Sequence, residues 1–247
     1  MKELLFGRNA VYESLRAGRR QAFRLLVAEG AQEKGRLAEI LALCSSRKLV
    51  VERVPRPRLD KINPNHQGVV LETSGYPYAS IHDLLETAQQ STQPPLFLIL
   101  DTMQDPQNLG TLVRTAEAVG VCGVLLPLKQ TVTVTPAVVN ASSGASEHLA
   151  IAQANLAQAI RTLQEAGVWV VGLDSGGEAL PPEQVHLNGP LALVVGNEGE
   201  GMRPLVRKSC DQLLRLPMRG KVGSLNAAVS GSIALYLAWQ NHEESSN

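Results

Sequence analysis

Three segments carry side chains whose types and spacing could do chemistry. The first, DTMQDPQNLGTLVRTAEAVG (101–120), follows an apolar run. In it Pro106 ends the extended chain, Asn108 can cap a helix, and Gly110 permits close approach of another backbone. Arg114 lies six residues beyond Asn108, near the ligand end of that helix. Taken singly it reads as a solvated charge, but Leu112, Val113, Ala116 and Val119 leave little polar surface for an idle one. The second segment, VVGNEGEGMRP (194–204), has glycines at 196, 199 and 201 that let backbone amides face a ligand, and Arg203-Pro204 opens a helix. Glu198 and Glu200 would repel an anion, and neither a Walker Lys-Ser/Thr nor a GxGxxG is present. The expected ligand is therefore neutral or cationic, with Glu198 engaged by Arg114, by a backbone amide, or in capping the next helix. The third segment, LRLPMRGKVGSLNAAVSGSIALYLAW (214–239), ends a short strand at Pro217. Ser224 or Asn226 then caps a helix rich in small residues, whose small face implies close packing on another helix or chain.

Elements that would hold these loops are legible around them. LFLILD (96–101), VCGVLLP (121–127), VWVVGLD (168–174) and LALVVGN (191–197) are continuous apolar runs, and helical patterns over 109–119 and 156–166 lie between them. Buried strands alternating with helices predict an α/β domain with a mainly parallel sheet, whose ligand sits beyond the carboxyl ends of the strands. Upstream, a short amphipathic helix over 9–17, strands at 23–28, 49–54 and 68–72, and a helix over 32–45 make a smaller α/β domain. QQSTQPP (89–95) reads as a linker. The expected organisation is a domain over 1–75, a connection over 76–93 containing one helix, and the larger domain over 94–247.

The 247 residues carry 23 Lys+Arg and 23 Asp+Glu, a net charge of zero. That zero is a cancellation: residues 1–75 hold 14 basic and 8 acidic residues, and the remainder 9 and 15. Asymmetry of this kind fits one module that holds a polyanion and another with a different task. Cys44, Cys122 and Cys210 are odd in number and far apart, and His66, His82, His148, His186 and His242 form no ligand spacing, so neither disulfide framework nor metal site is expected. No apolar run approaches the ~18 residues of a membrane span, and the expected location is the cytoplasm.

Together the three segments resemble the SpoU, or TrmH-like, branch of the SPOUT methyltransferases, which move methyl from S-adenosylmethionine to a ribose 2′-hydroxyl of RNA. The matching pieces are DPQNLGTLVRTA (105–116), LVVGNEGEGM (193–202) and LPMRGKVGSLNAAVS (216–230), with NASSGASEHLAI (140–151) at the place of the family's Ser-Gly-Ala segment. Ala227-Ala228-Val229 departs from the family's more frequent Val-Ser-Val. GRNAVYESLRAG (7–18) resembles the ribosomal-protein-like substrate-binding domain of the subgroup that modifies a guanosine of large-subunit, 23S, ribosomal RNA. The resemblance implies a deep trefoil knot in the larger domain and a homodimer with its active site at the subunit interface, working without metal.

By position, the resemblance implies that Gly196, Leu216, Met218 and Leu225 hold the cofactor, with glycine at 196 because a side chain would crowd the adenosine. Asn108, Arg114, Glu198, Ser224 and Asn226 match the constellation around the reacting ribose. The family account makes Arg114 a general base. Because a guanidinium stays protonated in proteins, the role preferred here is orienting the hydroxyl and adjacent phosphate, with Glu198 fixing the Arg rotamer and Ser224 and Asn226 positioning the ribose. RNA contacts are expected from the first domain, at Arg8, Arg16, Arg19, Arg20, Arg56 and Arg58. Competing readings are a transfer RNA 2′-O-methyltransferase, a resistance-type ribosomal RNA methyltransferase, an inactive RNA-binding assembly factor and a nucleotide-binding α/β enzyme, the last weakened by the missing phosphate-binding Lys.

Overall fold

The computed structural model describes residues 2–221 and 223–245; Val222, inside the third motif, lies outside them. The chain forms two compact units. One holds the residues up to Pro77 together with Val134–His148, the other Tyr78–Thr133 and the chain from Leu149 onward.

In the first unit the order is β1 (Lys2–Phe6), α1 (Arg8–Ala17), β2 (Ala22–Ala28), α2 (Arg36–Ser46), β3 (Val50–Val54), α3 (Arg56–Asp60) and β4 (Val69–Ser74). The sheet order is β1-β4-β2-β3, with β4 antiparallel to both neighbours and β3 parallel to β2. Strand β1 is not apparent from the sequence. Its five residues, KELLF, bury fully only Leu5 and borrow their pairing from Val70–Ser74, some 68 residues away.

Residues 134–148 complete this unit. They form a short helix, Pro136–Ala141, and a 3-10 turn, Ala145–Glu147. The Asn140 side-chain amide donates to the Phe6 carbonyl (3.1 Å), and the 3-10 turn brings Glu147 to Arg20. Arg20 Nε and Nη2 donate to the two Glu147 oxygens at 2.7 and 3.1 Å, and Nη1 donates to Glu3 at 2.6 Å. The side chains of Arg20 and Glu147 are 0% and 1% exposed. Burial alone would lower the Arg20 pKa, but its two carboxylate partners outweigh burial and raise it. This corrects the expectation that Arg20 contacts RNA: it is a core ion pair, placed beyond the reach of any ligand.

The second unit continues from α4 (Ile81–Gln89), the helix expected in the connection, whose Ser80 and Asp83 form a reciprocal capping box. Then come β5 (Leu96–Leu100), α5 (Pro106–Ala118), β6 (Gly123–Pro127), β7 (Ile151–Ala154), α7 (Leu156–Glu165), β8 (Trp169–Leu173), β9 (Leu191–Val195), α8 (Pro204–Ser209), β10 (Gln212–Leu214) and α9 (Ala227–Ser245), α6 being Pro136–Ala141 of the first unit. The six strands are parallel throughout, in the order β10-β8-β9-β5-β6-β7. β5, β6 and β9 are buried at every residue, as their unbroken apolar runs require. The expected α/β fold with a mainly parallel sheet is present. Among the described residues no helix is long and apolar enough to cross a membrane.

Helix α9 has two apolar faces. Ala227, Ala228, Gly231, Ala234, Leu235 and Ala238 are buried. A Cβ on Gly231 would come within 2.5 Å of Leu112 and 3.0 Å of Val195, so glycine lets α9 close on α5 and β9. The hydroxyls of Thr115 and Ser232 meet at 2.9 Å along the same seam. This is the helix packing that the small face predicts. The opposite face leaves Val229, Ile233, Tyr236 and Trp239 exposed by 38–47%.

Candidate active site

The loops after β8, β9 and β10 meet at the carboxyl end of the parallel sheet and enclose a cavity of about 560 Å³. That volume lies within the range of about 300–1,000 Å³ typical of small-molecule sites. Gly196, Glu198, Leu216, Met218, Ser224 and Leu225 all line it, so the four cofactor positions and two of the polar ones expected from the sequence are brought together.

The loop after β9 is built around Asn197. Its backbone pairs with Gly201 in both directions (3.1 and 3.2 Å), and its side-chain oxygen accepts from the amides of Gly199 and Glu200, both at 2.8 Å. The two amides are thereby turned inward to Asn197, which explains how glycines can crowd this loop without making a phosphate cradle. Gly196 stands where this closed turn passes over the strand end. A Cβ there would lie 2.2 Å from the Gly201 carbonyl carbon and 2.4 Å from the Met202 nitrogen. The structure thus supplies a reason for glycine different from crowding of an adenosine: the chain itself occupies the space.

Two carboxylates secure this end of the sheet, and sequence reasoning missed both. Asp101, with a fully buried side chain, accepts from the Arg203 backbone amide (2.7 Å) and Nε (2.8 Å), tying the end of β5 to the start of α8. Asp174, on the cavity wall, accepts from the Gly176 amide and from Arg207 Nε, each at 2.6 Å. Burial would raise the Asp174 pKa, but the amide and the guanidinium prevail and hold the carboxyl below its usual range. The available signal was position alone: each is the first acidic residue after a buried strand.

Asn226 organises the reacting side. Its side-chain oxygen accepts from the amides of Ala228 (2.9 Å) and Val229 (3.1 Å), making it the N-cap of α9. Its amide nitrogen donates to Asn108 Oδ1 (3.1 Å) and to Glu198 Oε1. Every hydrogen-bonding position of the amide is used, so the helix fixes its orientation and the amide fixes Asn108 and Glu198. Asn108 is itself not a cap; α5 is capped by Asp105, which accepts from the Gln107 amide (3.0 Å). Ser224 lies on the cavity wall and leaves the capping of α9 to Asn226. Arg114 sits on the exposed face of α5, not in the sparse polar surroundings that its apolar neighbours suggest. Among the described residues it is not part of the cavity wall.

The wall suits a cationic, partly apolar ligand. Leu216, Met218 and Leu225 supply apolar surface, while Glu198, Glu200 and Asp174 place carboxylates around it; Arg207 neutralises Asp174 and Arg215 also lines the wall, which leaves an excess of one carboxylate. S-adenosylmethionine, a purine nucleoside with a sulfonium, has this character. Among the described residues no group of three or more His, Cys, Asp or Glu could hold a metal.

Comparison with known proteins agrees. Residues 95–236 match the model of the SpoU rRNA Methylase family, and residues 4–79 match that for RNA 2′-O ribose methyltransferase substrate binding. The chain is 41% identical over 236 residues to a Bacillus subtilis protein named "Putative TrmH family tRNA/rRNA methyltransferase YacO", covering 95% of this chain and 94% of that one. An AdoMet-bound rRNA methyltransferase from Sinorhizobium meliloti superposes with a TM-score of 0.80 at 26% identity, over 97% of this chain and 87% of that one. The A. aeolicus TrmH/SpoU tRNA modifying enzyme matches over 67% of this chain and 84% of that one, with a TM-score of 0.57 and 26% identity. A cavity that favours a cationic donor, a neighbour of this fold that binds it and a family model across most of the second unit converge: the chain belongs to the SpoU/TrmH family of S-adenosylmethionine-dependent RNA methyltransferases.

Proposed function

We propose that the enzyme methylates a ribose 2′-hydroxyl of ribosomal RNA, a guanosine of 23S ribosomal RNA being the target. The observation that carries the reaction type is the Asn108–Asn226–Glu198 cluster. A ribose hydroxyl needs alignment and a hydrogen-bond acceptor more than it needs a strong base, because the sulfonium is already a reactive methyl donor. Glu198 and Asn108, held by a side chain that the helix cannot release, supply fixed polar groups beside the cofactor cavity. Ser224 adds a hydroxyl on the same wall. Arg114 orients the hydroxyl and its neighbouring phosphate and stabilises the developing alkoxide.

Support for ribosomal over transfer RNA comes from the first unit. The ribosomal RNA enzyme matches nearly the whole chain, whereas the transfer RNA enzyme matches two thirds of it. The reading extends to a homodimer. Val229, Ile233, Tyr236 and Trp239 form an exposed apolar stripe on α9 at i, i+4, i+7 and i+10, too continuous for a solvated helix face. A second copy packed on this stripe would cover it, and an active site shared at that interface, the family's knot and a cytoplasmic location belong to the same reading.

The test is transfer of labelled methyl from S-adenosylmethionine to unmodified ribosomal and transfer RNA, followed by digestion to nucleosides. Label in 2′-O-methylguanosine from 23S ribosomal RNA is expected. Label in a base refutes the 2′-O assignment, and label confined to transfer RNA moves the substrate to the other class.

A further inference from the structure

The first unit contains a second cavity, of about 370 Å³, lined by Arg8, Glu29, Gly30, Lys34, Arg56 and Gly68 among others. Lys2, Arg16, Arg20, Arg24, Arg36, Arg53 and Arg58 each pair with a carboxylate. Arg19 stacks on Tyr76 and donates to its hydroxyl (3.1 Å). Among the described residues Arg8, Lys34, Arg47, Lys48, Arg56 and Lys61 are in no ion pair, and three of these six, Arg8, Lys34 and Arg56, line one cavity.

The cavity is also pre-shaped. Gln67 and Gly68 both take left-handed backbone (φ +53° and +86°), and buried His66 holds them there. His66 Nδ1 accepts from the Gly68 amide (2.8 Å), so Nε2 carries the ring proton and donates to Asp60 (2.9 Å). Gln67 then grips Arg8 twice: its side-chain oxygen accepts from the Arg8 amide (2.9 Å), and its carbonyl from Arg8 Nε (3.1 Å). The terminal guanidinium nitrogens of Arg8 are left for a ligand. Gly30 (φ +73°) turns the chain beside Glu29 on the opposing strand end.

We propose that this cavity takes one unstacked guanine nucleotide of the RNA substrate, other than the nucleotide that is methylated. Arg8, Lys34 and Arg56 hold its phosphate, and Glu29 accepts from its base. A carboxylate has two acceptor oxygens, and guanine is the base that offers two adjacent donors, N1–H and N2–H, to meet them; adenine and uracil offer one donor site, cytosine one amino group. RNA is read in this manner where bases are splayed out of a helix. The proposal rests on the RNA methyltransferase reading and adds to it a recognition site in the first unit.

The test uses the full chain saturated with S-adenosylhomocysteine, so that purines cannot enter the cofactor cavity. It is titrated with guanosine 5′-monophosphate and adenosine 5′-monophosphate while the backbone amides of Gly30 and Gly68 are followed by NMR. The guanine nucleotide is expected to shift both amides at a concentration on the order of tenfold below that needed with adenine. Glu29→Gln should erase that difference, and Arg8→Gln/Arg56→Gln should weaken both nucleotides about tenfold or more. Arg36→Gln/Lys48→Gln, which removes equal charge elsewhere in the unit, should change neither. Equal response to the two nucleotides, or none at these glycines, overturns the proposal. Methyl transfer to ribosomal RNA, measured in parallel, separates the two readings. Wild-type transfer with an unchanged KM in Arg8→Gln/Arg56→Gln refutes the nucleotide site alone, whereas no transfer by the wild type refutes the ribosomal RNA reading beneath it.

Discussion

Replacing Gly196 by alanine should destabilise the protein before any cofactor is added. The new Cβ would stand 2.2–2.4 Å from backbone atoms of Gly201 and Met202, and backbone cannot swing aside as a side-chain tip can. The turn must open, which breaks the two Asn197–Gly201 backbone hydrogen bonds. At about 1 kcal/mol each they account for about 2 kcal/mol, and overpacking of the strand end adds about 1–3 kcal/mol, for about 3–5 kcal/mol in all. At 2–4 °C per kcal/mol for a chain of this size, the melting temperature of the ligand-free protein falls by about 6–20 °C. Gly199→Ala is the control: its Cβ would have only Asn197 Oδ1 nearby, at 3.7 Å, and its backbone is not left-handed. The assay is thermal unfolding without cofactor, paired with calorimetric titration of S-adenosylmethionine. Gly196→Ala that melts like wild type and loses only cofactor affinity would refute the reasoning, showing that the glycine is there for the adenosine and not for the loop.

Asn226→Asp should separate folding from chemistry. The carboxylate keeps an acceptor for the Ala228 and Val229 amides, so the melting temperature stays within about 2 °C, but it meets Glu198 as a like charge and methyl transfer falls at least about 100-fold. Arg20→Ala leaves Glu147 buried without its counter-charge and should cost about 3–5 kcal/mol in denaturant unfolding, whereas Arg20→Met combined with Glu147→Leu restores most of the loss. His242, buried on α9, has its pKa lowered by burial against a weaker opposing hydrogen bond to Gly189. The unfolded chain therefore takes up a proton near pH 6.5 that the folded chain refuses, and stability falls as pH drops through 6.5 toward the lower folded value. His242→Leu should flatten the melting temperature between pH 7 and 6.

The parts of the fold that were legible are those whose signal is local. β5, β6 and β9 are buried at every position and spell it out as apolar runs; β7, with Gln153 half-exposed beside Ala152, does not. Nothing within 134–148 reveals that Glu147 finds its counter-charge 127 residues upstream, so its place in the first unit was invisible. In the site, Asn226 and Glu198 were legible as residue types at motif spacing, while Asp101 was not, because its role consists of a bond to Arg203 across 102 residues. Asn197 could have been found: an Asn followed by Glu-Gly at a strand end is a local turn signal, since its side chain can accept from amides two and three residues on.

Charge shows the same limit and yields the most demanding prediction. The excess of basic residues in 1–75 suggested a broadly cationic face, but half of those cations are paired with carboxylates within the unit, and the Arg20 side chain is buried entirely. A cation already neutralised by a carboxylate is poorly placed to displace the counterions condensed on RNA phosphates, so the salt dependence should track unpaired residues and not the net charge. Replacing Arg8, Lys34 and Arg56 together by glutamine removes the cations held on one phosphate and should reduce the slope of log K against log salt by about 1. Replacing Arg24, Arg36 and Arg53 removes the same formal charge from pairs with Glu72, Glu39 and Glu33, and should leave the slope nearly unchanged. Equal slopes for the two triple variants, measured by filter binding of 23S ribosomal RNA across a salt series, would mean that the unit attracts RNA by its overall field and that the unpaired cluster has no special standing.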